Sequence, residues 1–346
     1  MTIDRDYLLR VLTMMGLTNR EAEVFLTIAE KGEASVKDIL ESVDVHQPQL
    51  YNILSSLLRR GFIKVSSSRP KKYSAYNLST IIDTYISSFS SIKEVVKRIE
   101  SPIRSSSQIY VSYGIDGLNN GLVEVISNAQ VELYGEIPSW ILRKNLRLFM
   151  DALGRGVRLY LLVYPSISEE DLHPLREYED AAWIKVNKLG DFLLLAADLS
   201  KGVYASRRSL TVNEGSHCYI IQDKDIITRF LTIFNSTWKE SEDALYVDPS
   251  RGKYPRKFLN IHFALLTLEA LLTHGYNPVV SVKGILLKNN EPIEVRGVVS
   301  SVNMLNRVSN IVVRSNGNQY TIGGYDAELE DIEAQEVVIE SISPNA

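Results

Sequence analysis

The 346-residue chain contains a single cysteine, Cys218. One cysteine cannot form an internal disulfide, and it excludes a zinc site made of several thiolates. The chain also lacks an apolar run of about 18 residues, so the sequence predicts no transmembrane helix. Its first residues carry neither the basic nor the apolar segment of a secretion signal. We therefore expect a cytoplasmic protein without a membrane partner.

Motifs that carry chemistry are equally scarce. The sequence has no glycine-rich phosphate loop, no nucleophile elbow and no pair of histidines at metal-ligating spacing. We therefore predict no catalytic residue, no metal site and no cofactor. The five histidines of the chain are His46, His173, His217, His262 and His274.

The net charge of the chain is −4, yet residues 59–78 contain six cations and no acid. The pattern of this segment predicts a helix end, a stop at Gly61, a short strand, a basic turn and a second strand. A winged helix-turn-helix presents its cations to the DNA backbone in this order. The six cations are Arg59, Arg60, Lys64, Arg69, Lys71 and Lys72.

Three predicted helices precede this basic segment. Residues 18–21 have the form of a capping box at the start of the first helix. Ser35 is expected to cap a second, short helix over residues 36–42. A third helix begins near Gln47, with Pro48 in the first turn, where proline is tolerated.

The third helix carries polar side chains beside its apolar stripe of Leu50, Ile53, Leu54, Leu57 and Leu58. Amide side chains can form paired hydrogen bonds with adenine, and the N-terminal end of a recognition helix enters the major groove. The alternative is that these polar residues are ordinary solvated side chains. The basic segment that follows favours DNA reading. The candidates are Gln47, Gln49, Tyr51, Asn52 and Ser55.

A β-hairpin is predicted within the basic segment, with strands over 62–65 and 73–76. In the turn between them, Arg69, Lys71 and Lys72 would contact phosphates and set the register on DNA. The alternative is a solvated hairpin tip. A hairpin directly after a recognition helix favours the wing of a DNA-binding domain.

Apolar residues then recur at alternating steps of four and three, and residues 80–100 contain no glycine or proline. Such a narrow seam favours a dimerising coiled coil over a helix docked on its own chain. Pro102 and the serines at 105–107 close this segment and form a linker. The seam consists of Leu78, Ile82, Tyr85, Phe89, Ile92, Val96 and Ile99.

The rest of the chain changes character twice. Strands and helices alternate up to residue 248, which indicates an α/β sheet flanked by helices. A helix is predicted from Tyr254 to Gly275, and short strands follow, which is typical of a small β-rich unit. Seven acidic residues and no basic one lie in the last 26 positions. The fold class is therefore α+β multidomain, with a winged helix-turn-helix over 1–78, a coiled-coil helix and linker over 79–104, an α/β domain over 105–248 and a β-rich unit over 249–346.

The helix-turn-helix opening at 17–22, the wing at 69–73, the coiled-coil helix and the terminal segments 320–324 and 330–333 resemble the TrmB family of archaeal sugar-sensing transcription regulators. The resemblance spans nearly the whole chain. It implies a winged-helix DNA reader, a coiled-coil dimer and an effector domain. That effector domain would combine a phospholipase-D-like sheet with the C-terminal β unit and bind sugar near their junction.

A phospholipase-D-like sheet raises the question of phosphodiesterase chemistry. That reaction needs His-x-Lys and an Asp five residues after the Lys, because the His attacks phosphorus. Aligned on Asp198, the His position holds Asp191 and the Lys position holds Leu193. The nucleophile and the cation are both missing, so we expect no enzyme activity. A residual phosphodiesterase that depends on Asp198 is the least favoured hypothesis.

A sugar site needs carboxylates, amides and closely approaching backbone groups. The segment with Gly323 and Gly324, followed by Ala327, Glu328 and Glu330, supplies them and matches the effector-binding segment of the family. Asp326 is a further acid of this segment. The alternative is that these acids belong to a solvated final strand and turn. Weaker candidates are Asn303, Asn306, Trp183 and Tyr204.

Together these features predict a dimeric transcriptional regulator that binds a double-stranded DNA operator. A mono- or disaccharide bound in the effector region would change its operator affinity, and the helix over residues 78–99 would form the homodimer. The alternative function is a constitutive, chromatin-type DNA-binding protein that does not respond to sugar.

Overall fold

The structure is a computed structural model that describes residues 5–67, 69–96, 107–190, 192–211, 216–305, 308–325 and 327–345. The chain forms two compact units, Met1–Arg104 and Ser105–Ala346. Within the described ranges, no helix combines the length and the apolar character that crossing a bilayer requires.

The first unit contains five helices and a small antiparallel sheet of order β1-β3-β2 within its described residues. Its apolar core joins helices one to four with the sheet and the start of the fifth helix. The elements are α1 (Arg5–Met14), α2 (Asn19–Lys31), β1 (Ala34–Ser35), α3 (Val36–Leu40), α4 (Gln47–Arg59), β2 (Ile63–Val65), β3 (Lys72–Ala75) and α5 (Leu78–Val96).

Reciprocal hydrogen bonds cap two of these helices. Thr18 Oγ1 accepts the Glu21 N–H at 3.2 Å, and Glu21 Oε2 accepts the Thr18 N–H at 2.8 Å, so the predicted capping box is confirmed. Ser35 and Asp38 form a second box at the start of α3. The predicted end of α3 at Ser42 is wrong, because the last turn tightens and the Ser42 N–H bonds to the Ile39 carbonyl three residues back.

Helix α4 buries the predicted apolar stripe. Leu50, Ile53, Leu54 and Leu57 are buried, and Leu58 packs against the same core. The helix begins at Gln47, as predicted, with a proline in its first turn. Polar residues on the other side of the helix are thereby left toward solvent.

The hairpin after α4 consists of β2 and β3, with Val65 opposite Tyr73 and Ile63 opposite Ala75. Its inner side is anchored by Phe62, whose ring meets the Phe25 ring edge-on at 5.6 Å. Strand β1 pairs with β3 as a third strand, which the sequence did not predict. The aromatic anchor fixes the base of the hairpin and leaves its basic tip outside the core.

Arg60 belongs to the structure of the first unit. Its guanidinium donates hydrogen bonds to the carbonyl oxygens of Met15 and Gly16 at 3.1 and 2.9 Å, and it lies 3.8 Å from Glu21. It also lies over the Phe62 ring at 5.4 Å. Arg60 is therefore a structural member of the six basic residues, although its side chain is partly exposed.

The described side chains of helix α5 that pack on the core of its own unit lie in its first turns. Ile81 is buried, and the Tyr85 ring lies 6.4 Å from that of Phe62. Farther along, Phe89 and Ile92 of the predicted seam are 63% and 55% exposed. The last predicted seam residue, Ile99, lies outside the described residues, as do Pro102 and the serines at 105 and 106, and the coiled coil stays a prediction.

The second unit contains an eight-stranded mixed sheet of order β11-β7-β6-β5-β8-β9-β10-β4. Its central strands β5, β6 and β7 are parallel, and the flanking pairs are antiparallel. The elements are β4 (Gln108–Tyr113), α6 (Gly114–Asn128), β5 (Glu132–Pro138), α7 (Ser139–Gly154), β6 (Arg158–Tyr164), α8 (Glu169–Leu172), a 3-10 helix (His173–Tyr178), β7 (Ala182–Val186), β8 (Phe192–Ala197), β9 (Lys201–Ser206), α9 (Arg207–Thr211), β10 (His217–Gln222), α10 (Lys224–Glu240) and β11 (Glu242–Leu245).

A six-stranded sheet of order β12-β17-β13-β14-β15-β16 follows. Parallel pairing of β16 with β17 closes five of these strands into a ring. The elements are a 3-10 helix (Pro249–Arg251), β12 (Arg256–Phe258), α11 (Ile261–Thr273), β13 (Tyr276–Leu286), β14 (Glu291–Leu305), β15 (Val308–Ser315), β16 (Asn318–Gly323) and β17 (Ile332–Pro344).

Helices α6 and α7 cover one face of the eight-stranded sheet. The other face packs on α10, α11 and the inner side of the closed β unit in one continuous apolar core. That core includes residues from both sides of the predicted boundary at 248, and the boundary itself stays a prediction.

One expectation for the last hundred residues is wrong. The segment from Tyr254 to Leu259 is not helical, because Phe258 pairs with Val337 in β12 and the helix begins only after Asn260. The acidic end of the chain forms the long strand β17. Its Glu336 and Glu340 face basic residues of neighbouring strands, so these acids are paired within the sheet.

We expect Arg60→Ala to lower the free energy of unfolding of the first unit by about 0.5–1.5 kcal/mol, because the hydrogen bonds from its guanidinium to two backbone carbonyls are lost. The measurement is urea unfolding of the full chain, followed by a signal from this unit. Arg59→Ala removes an exposed cation one position earlier and serves as the control. Equal stability of the two variants would contradict the structural role of Arg60.

Candidate functional site

Four of the five predicted sugar residues line one cavity of about 400 Å³ in the second unit. Gly324, Ala327, Glu328 and Glu330 lie in the loop from β16 to β17, which forms one side of this cavity. Gly323 ends β16 directly before the loop. Asp326 of the same segment lies outside the described residues.

Both glycines are required by close packing. A Cβ on Gly323 would lie 2.7 Å from the Ala327 Cβ and 2.8 Å from the Glu330 Cδ, and one on Gly324 would lie 2.6 Å from Ile261 Cγ2. These separations are shorter than any normal carbon contact. The glycines therefore let the loop approach α11 and fold back over its own acids.

The loop is tied at both ends. Asp331 Oδ2 accepts both the backbone N–H and the hydroxyl of Thr321 at 2.8 Å. On the other side, the Tyr325 hydroxyl donates to Asp225 Oδ1, and the Tyr325 ring lies 4.3 Å below the Lys224 ammonium. These contacts fix the loop against the start of α10.

The opposite side of the cavity is polar and buried. Among the described residues, six buried side-chain polar atoms have no hydrogen-bond partner, and four of them belong to residues that line this cavity. An unpaired buried polar group costs about 1–3 kcal/mol, so such clustering indicates a binding site. The four atoms are Thr228 Oγ1 and Asn235 Oδ1 from α10, and Asn260 Nδ2 and His262 Nε2 from the start of α11.

Burial, with a smaller effect from the positive charge of Lys239, lowers the pKa of His262 to about 4. The imidazole is therefore neutral at physiological pH, and its buried Nε2 can accept or donate one hydrogen bond according to the tautomer. The charged side chains lining the described cavity are Glu328 and Glu330. Amide, hydroxyl, imidazole and carboxylate groups suit an uncharged ligand with several hydroxyls.

The weaker sugar candidates do not line this cavity. Asn303 donates to Asn310 Oδ1 at 2.8 Å, and Trp183 Nε1 donates to Asp243 Oδ1 at 2.7 Å. The Tyr204 ring stacks on Phe230 at 4.7 Å. Asn306 lies outside the described residues.

Sequence reasoning missed the four residues that supply the unpaired atoms. The helix predicted from Tyr254 includes Asn260 and His262, and a single amide inside a helix does not by itself indicate a binding site. The available signal was Asn260 itself, because asparagine is a preferred helix cap and its Oδ1 accepts the His262 N–H at 3.0 Å. Thr228 and Asn235 lie seven residues apart on α10, a spacing that places both on one helix face.

Asp198, the aspartate aligned with the phosphodiesterase motif, takes part in backbone structure. Its carboxylate accepts the N–H groups of Gln130, Val131 and Glu132 at 2.7–2.9 Å. Leu193, at the lysine position, is buried in the sheet core. Asp191, at the histidine position, lies outside the described residues.

The predicted DNA-reading residues lie on the open side of α4. Gln47, Tyr51, Asn52 and Ser55 are exposed, and Gln49 is half-buried. None carries a charge, so this surface can supply base-specific hydrogen bonds but little phosphate attraction.

The predicted phosphate contacts differ in their surroundings. Arg69 and Lys71 are exposed at the tip of the hairpin. The Lys72 ammonium lies 3.0 Å from Glu33 Oε2, so it would have to leave that carboxylate to reach a phosphate. Lys64 lies over the Tyr76 ring at 5.6 Å and keeps its charge at the surface.

Three family models match successive segments of the chain. The family model described as "Sugar-specific transcriptional regulator TrmB" matches residues 12–79. The model "Transcriptional regulator TrmB, EBD N-terminal subdomain" matches residues 108–245, and "TrmB/TrmBL1, EBD C-terminal subdomain" matches residues 253–342. The three matches fall in chain order over both compact units.

The relatives are distant in sequence. The chain is 20% identical over 350 residues to the HTH-type sugar sensing transcriptional regulator TrmBL1 of Pyrococcus furiosus, covering 96% of this chain and 98% of the relative. Among similar solved structures is TrmBL2, an archaeal chromatin protein. It is 18% identical, the match covers 70% of this chain and 100% of TrmBL2, and the TM-score is 0.35. Another is Nuc of Salmonella typhimurium, a phospholipase D family member, which is 11% identical; the match covers 40% of this chain and 98% of Nuc, with a TM-score of 0.34. With TrmB models matching successive segments from residue 12 to residue 342, the chain belongs to the TrmB family.

Proposed function

We propose that this protein is a DNA-binding transcriptional regulator whose operator affinity changes when a sugar binds in its second unit. The observation that carries the proposal is a cavity lined both by the glycine-acid loop and by four residues whose buried polar atoms have no partner. A ligand with several hydroxyls would satisfy these atoms and recover part of their desolvation cost. Membership in a family described as sugar-specific supports the same ligand class.

An uncharged mono- or disaccharide fits this cavity better than a phosphorylated sugar. Its described lining offers a neutral imidazole, two amides and two carboxylates, and it offers no lysine or arginine. Glu328 and Glu330 would accept hydrogen bonds from sugar hydroxyls, whereas they would repel a phosphate. Gly323 and Gly324 would keep the backbone close enough to contact the ligand.

In the first unit, α4 would read bases through Gln47, Gln49, Tyr51, Asn52 and Ser55. The hairpin tip would hold phosphates through Arg69 and Lys71, and through Lys72 once it leaves Glu33. This division assigns specificity to neutral donors and acceptors and affinity to exposed cations. The target is double-stranded DNA, which we expect the protein to meet in the cytoplasm.

A homodimer through α5 would place two DNA-binding units, each with its α4 and hairpin, on one operator. The exposed Phe89 and Ile92 continue the seam beyond the turns that pack on the first unit. A two-fold dimer matches a pseudo-palindromic site. Sugar binding would then shift the population between arrangements of the two DNA-binding units, which couples the sugar site and the DNA site thermodynamically.

We expect Arg69→Ala and Lys71→Ala to weaken binding to all DNA sequences. Each variant should reduce the slope of log K against log salt concentration by about one. Asn52→Ala and Gln49→Ala should instead relax base preference at one position, by about 1–3 kcal/mol. Binding to randomised duplexes at several salt concentrations measures both effects.

Arg147→Ala removes an exposed cation of the second unit and serves as the control for net charge. The assignment of roles is wrong if the hairpin variants change base preference and keep the salt slope of the unmodified chain.

We expect Asn260→Ala to weaken sugar binding about ten-fold or more, because the ligand would lose a donor in a desolvated position. A thermal-shift screen of neutral sugars identifies the ligand, and calorimetry then measures its affinity. Glucose 6-phosphate should give no shift where glucose does. Asn303→Ala removes an amide of the same unit that does not line the cavity, and it should bind sugar normally.

A screen in which no mono- or disaccharide changes either the melting temperature or the DNA affinity would contradict the regulator proposal. Sugar-independent coating of unrelated DNA would then favour the constitutive, chromatin-type alternative.

A further inference from the structure

We propose that Glu132 is a positioning residue of the sugar site. Its carboxylate holds the backbone that presents Asn260 and His262 to the ligand. The inference rests on the proposed sugar function. Glu132 does not line the cavity, and it belongs to the first position of β5, more than a hundred residues before α11.

Two backbone N–H groups donate hydrogen bonds to one carboxylate oxygen of Glu132, and we call this pair of bonds the tether. Glu132 Oε2 accepts the N–H of Leu259 at 3.1 Å and the N–H of Asn260 at 3.0 Å. These are the last two residues before α11, where the chain turns from β12 into the helix. If the Glu132 carboxylate were removed, the N–H groups of Leu259 and Asn260 would lose this acceptor.

The same turn sets the geometry of the cavity. Asn260 uses its Oδ1 to cap the His262 N–H, which leaves its Nδ2 as the unpaired donor. The position of both ligand-facing groups therefore depends on the backbone of Asn260, and that backbone is held by Glu132. A shift of this turn would misplace both atoms together.

Glu132 is itself held rigidly. Its side chain is fully buried, and Arg158 Nη2 lies 3.5 Å from its Oε1. Its backbone N–H donates to Asp198 Oδ1 at 2.8 Å. Arg158 is fixed in turn by a hydrogen bond from its Nε to the Tyr160 hydroxyl and by its position over the Phe258 ring. The aspartate aligned with the phosphodiesterase motif thus supports the tether.

Burial raises the pKa of Glu132 to about 7, against the opposing effect of Arg158 and of the two backbone N–H donors. The negative charge of Asp198 contributes to this increase in pKa, and the other titratable groups facing this cluster are Tyr134, Tyr160 and Arg256. The three groups bonded to the Glu132 carboxylate are all donors, so the ionised form completes the tether and protonation weakens it. Sugar affinity should therefore fall as the pH decreases through about 7, well above the pKa of His262.

The test compares the full-length chain with Glu132→Gln by calorimetry between pH 6 and 8, with glucose, maltose and trehalose as probes. The unmodified chain should bind several-fold more tightly at pH 8 than at pH 6. The variant should bind about ten-fold more weakly at pH 8, and its affinity should not change over this range. A variant with unchanged affinity and an unchanged pH profile would overturn the inference.

Amide hydrogen exchange without sugar tests the tether separately from the proposed function. After correction for the intrinsic rate, protection of the Leu259 and Asn260 amides should increase with pH through about 7 in the unmodified chain. It should decrease about ten-fold in Glu132→Gln. If protection of these two amides in the unmodified chain does not depend on pH, the role of Glu132 is refuted, even if the variant fails to fold. If all three probes fail to bind but the exchange pattern holds, only the sugar assignment fails.

Asp171→Asn provides the matched control. Asp171 is also a buried carboxylate and accepts hydrogen bonds from Arg143 and Ser168, but it does not contact the turn before α11. This variant should lose stability and keep the pH profile of sugar binding. A flattened profile in Asp171→Asn would show that general destabilisation, not the tether, controls affinity.

Discussion

Packing of helix α11 between the eight-stranded sheet and the closed β unit organises the entire second unit. Phe263 of this helix stacks on Tyr160 of the sheet at 3.7 Å and meets Trp238 of α10 edge-on. The same helix packs on the inner side of β13, β14, β15 and β17. The eight-stranded and six-stranded sheets are distinct hydrogen-bonded sheets, but they share one apolar core. Burial of that core fixes the position of one sheet relative to the other.

The candidate sugar site is a consequence of this packing. Because α10 and α11 converge under the β16–β17 loop, polar residues at their surfaces are enclosed without gaining partners. A protein interior normally satisfies such groups, and leaving four of them unpaired around one cavity lowers stability in the absence of a ligand. Glu132 and Asp198 accept the backbone N–H groups beneath the site, so the unpaired polar atoms of the residues that line the cavity are side-chain atoms.

Local sequence patterns predict many helices and strands correctly. They fail where contacts with distant segments determine the secondary structure or the role of a residue. The capping box at Thr18 and the apolar stripe of α4 depend on residues a few positions apart, and both were found. The segment before Asn260 was mistaken for helix, because its pairing with β17 involves residues about eighty positions away. Arg60 and Arg69 are both basic residues of one segment, and only packing against the Met15–Gly16 turn separates their roles.

The sequence by itself determined the family, the order of the segments and the loop that contains Gly323, Gly324 and the following acids. Those features reside in local spacing and composition, which survive without knowledge of the fold. Only the tertiary structure decided which polar atoms are desolvated and unpaired, since burial depends on neighbours contributed by remote strands and helices. For the same reason, the basic stretch at 59–78 is recognisable from the sequence as a whole, but only the folded unit shows that Arg60 is bound to the carbonyls of Met15 and Gly16.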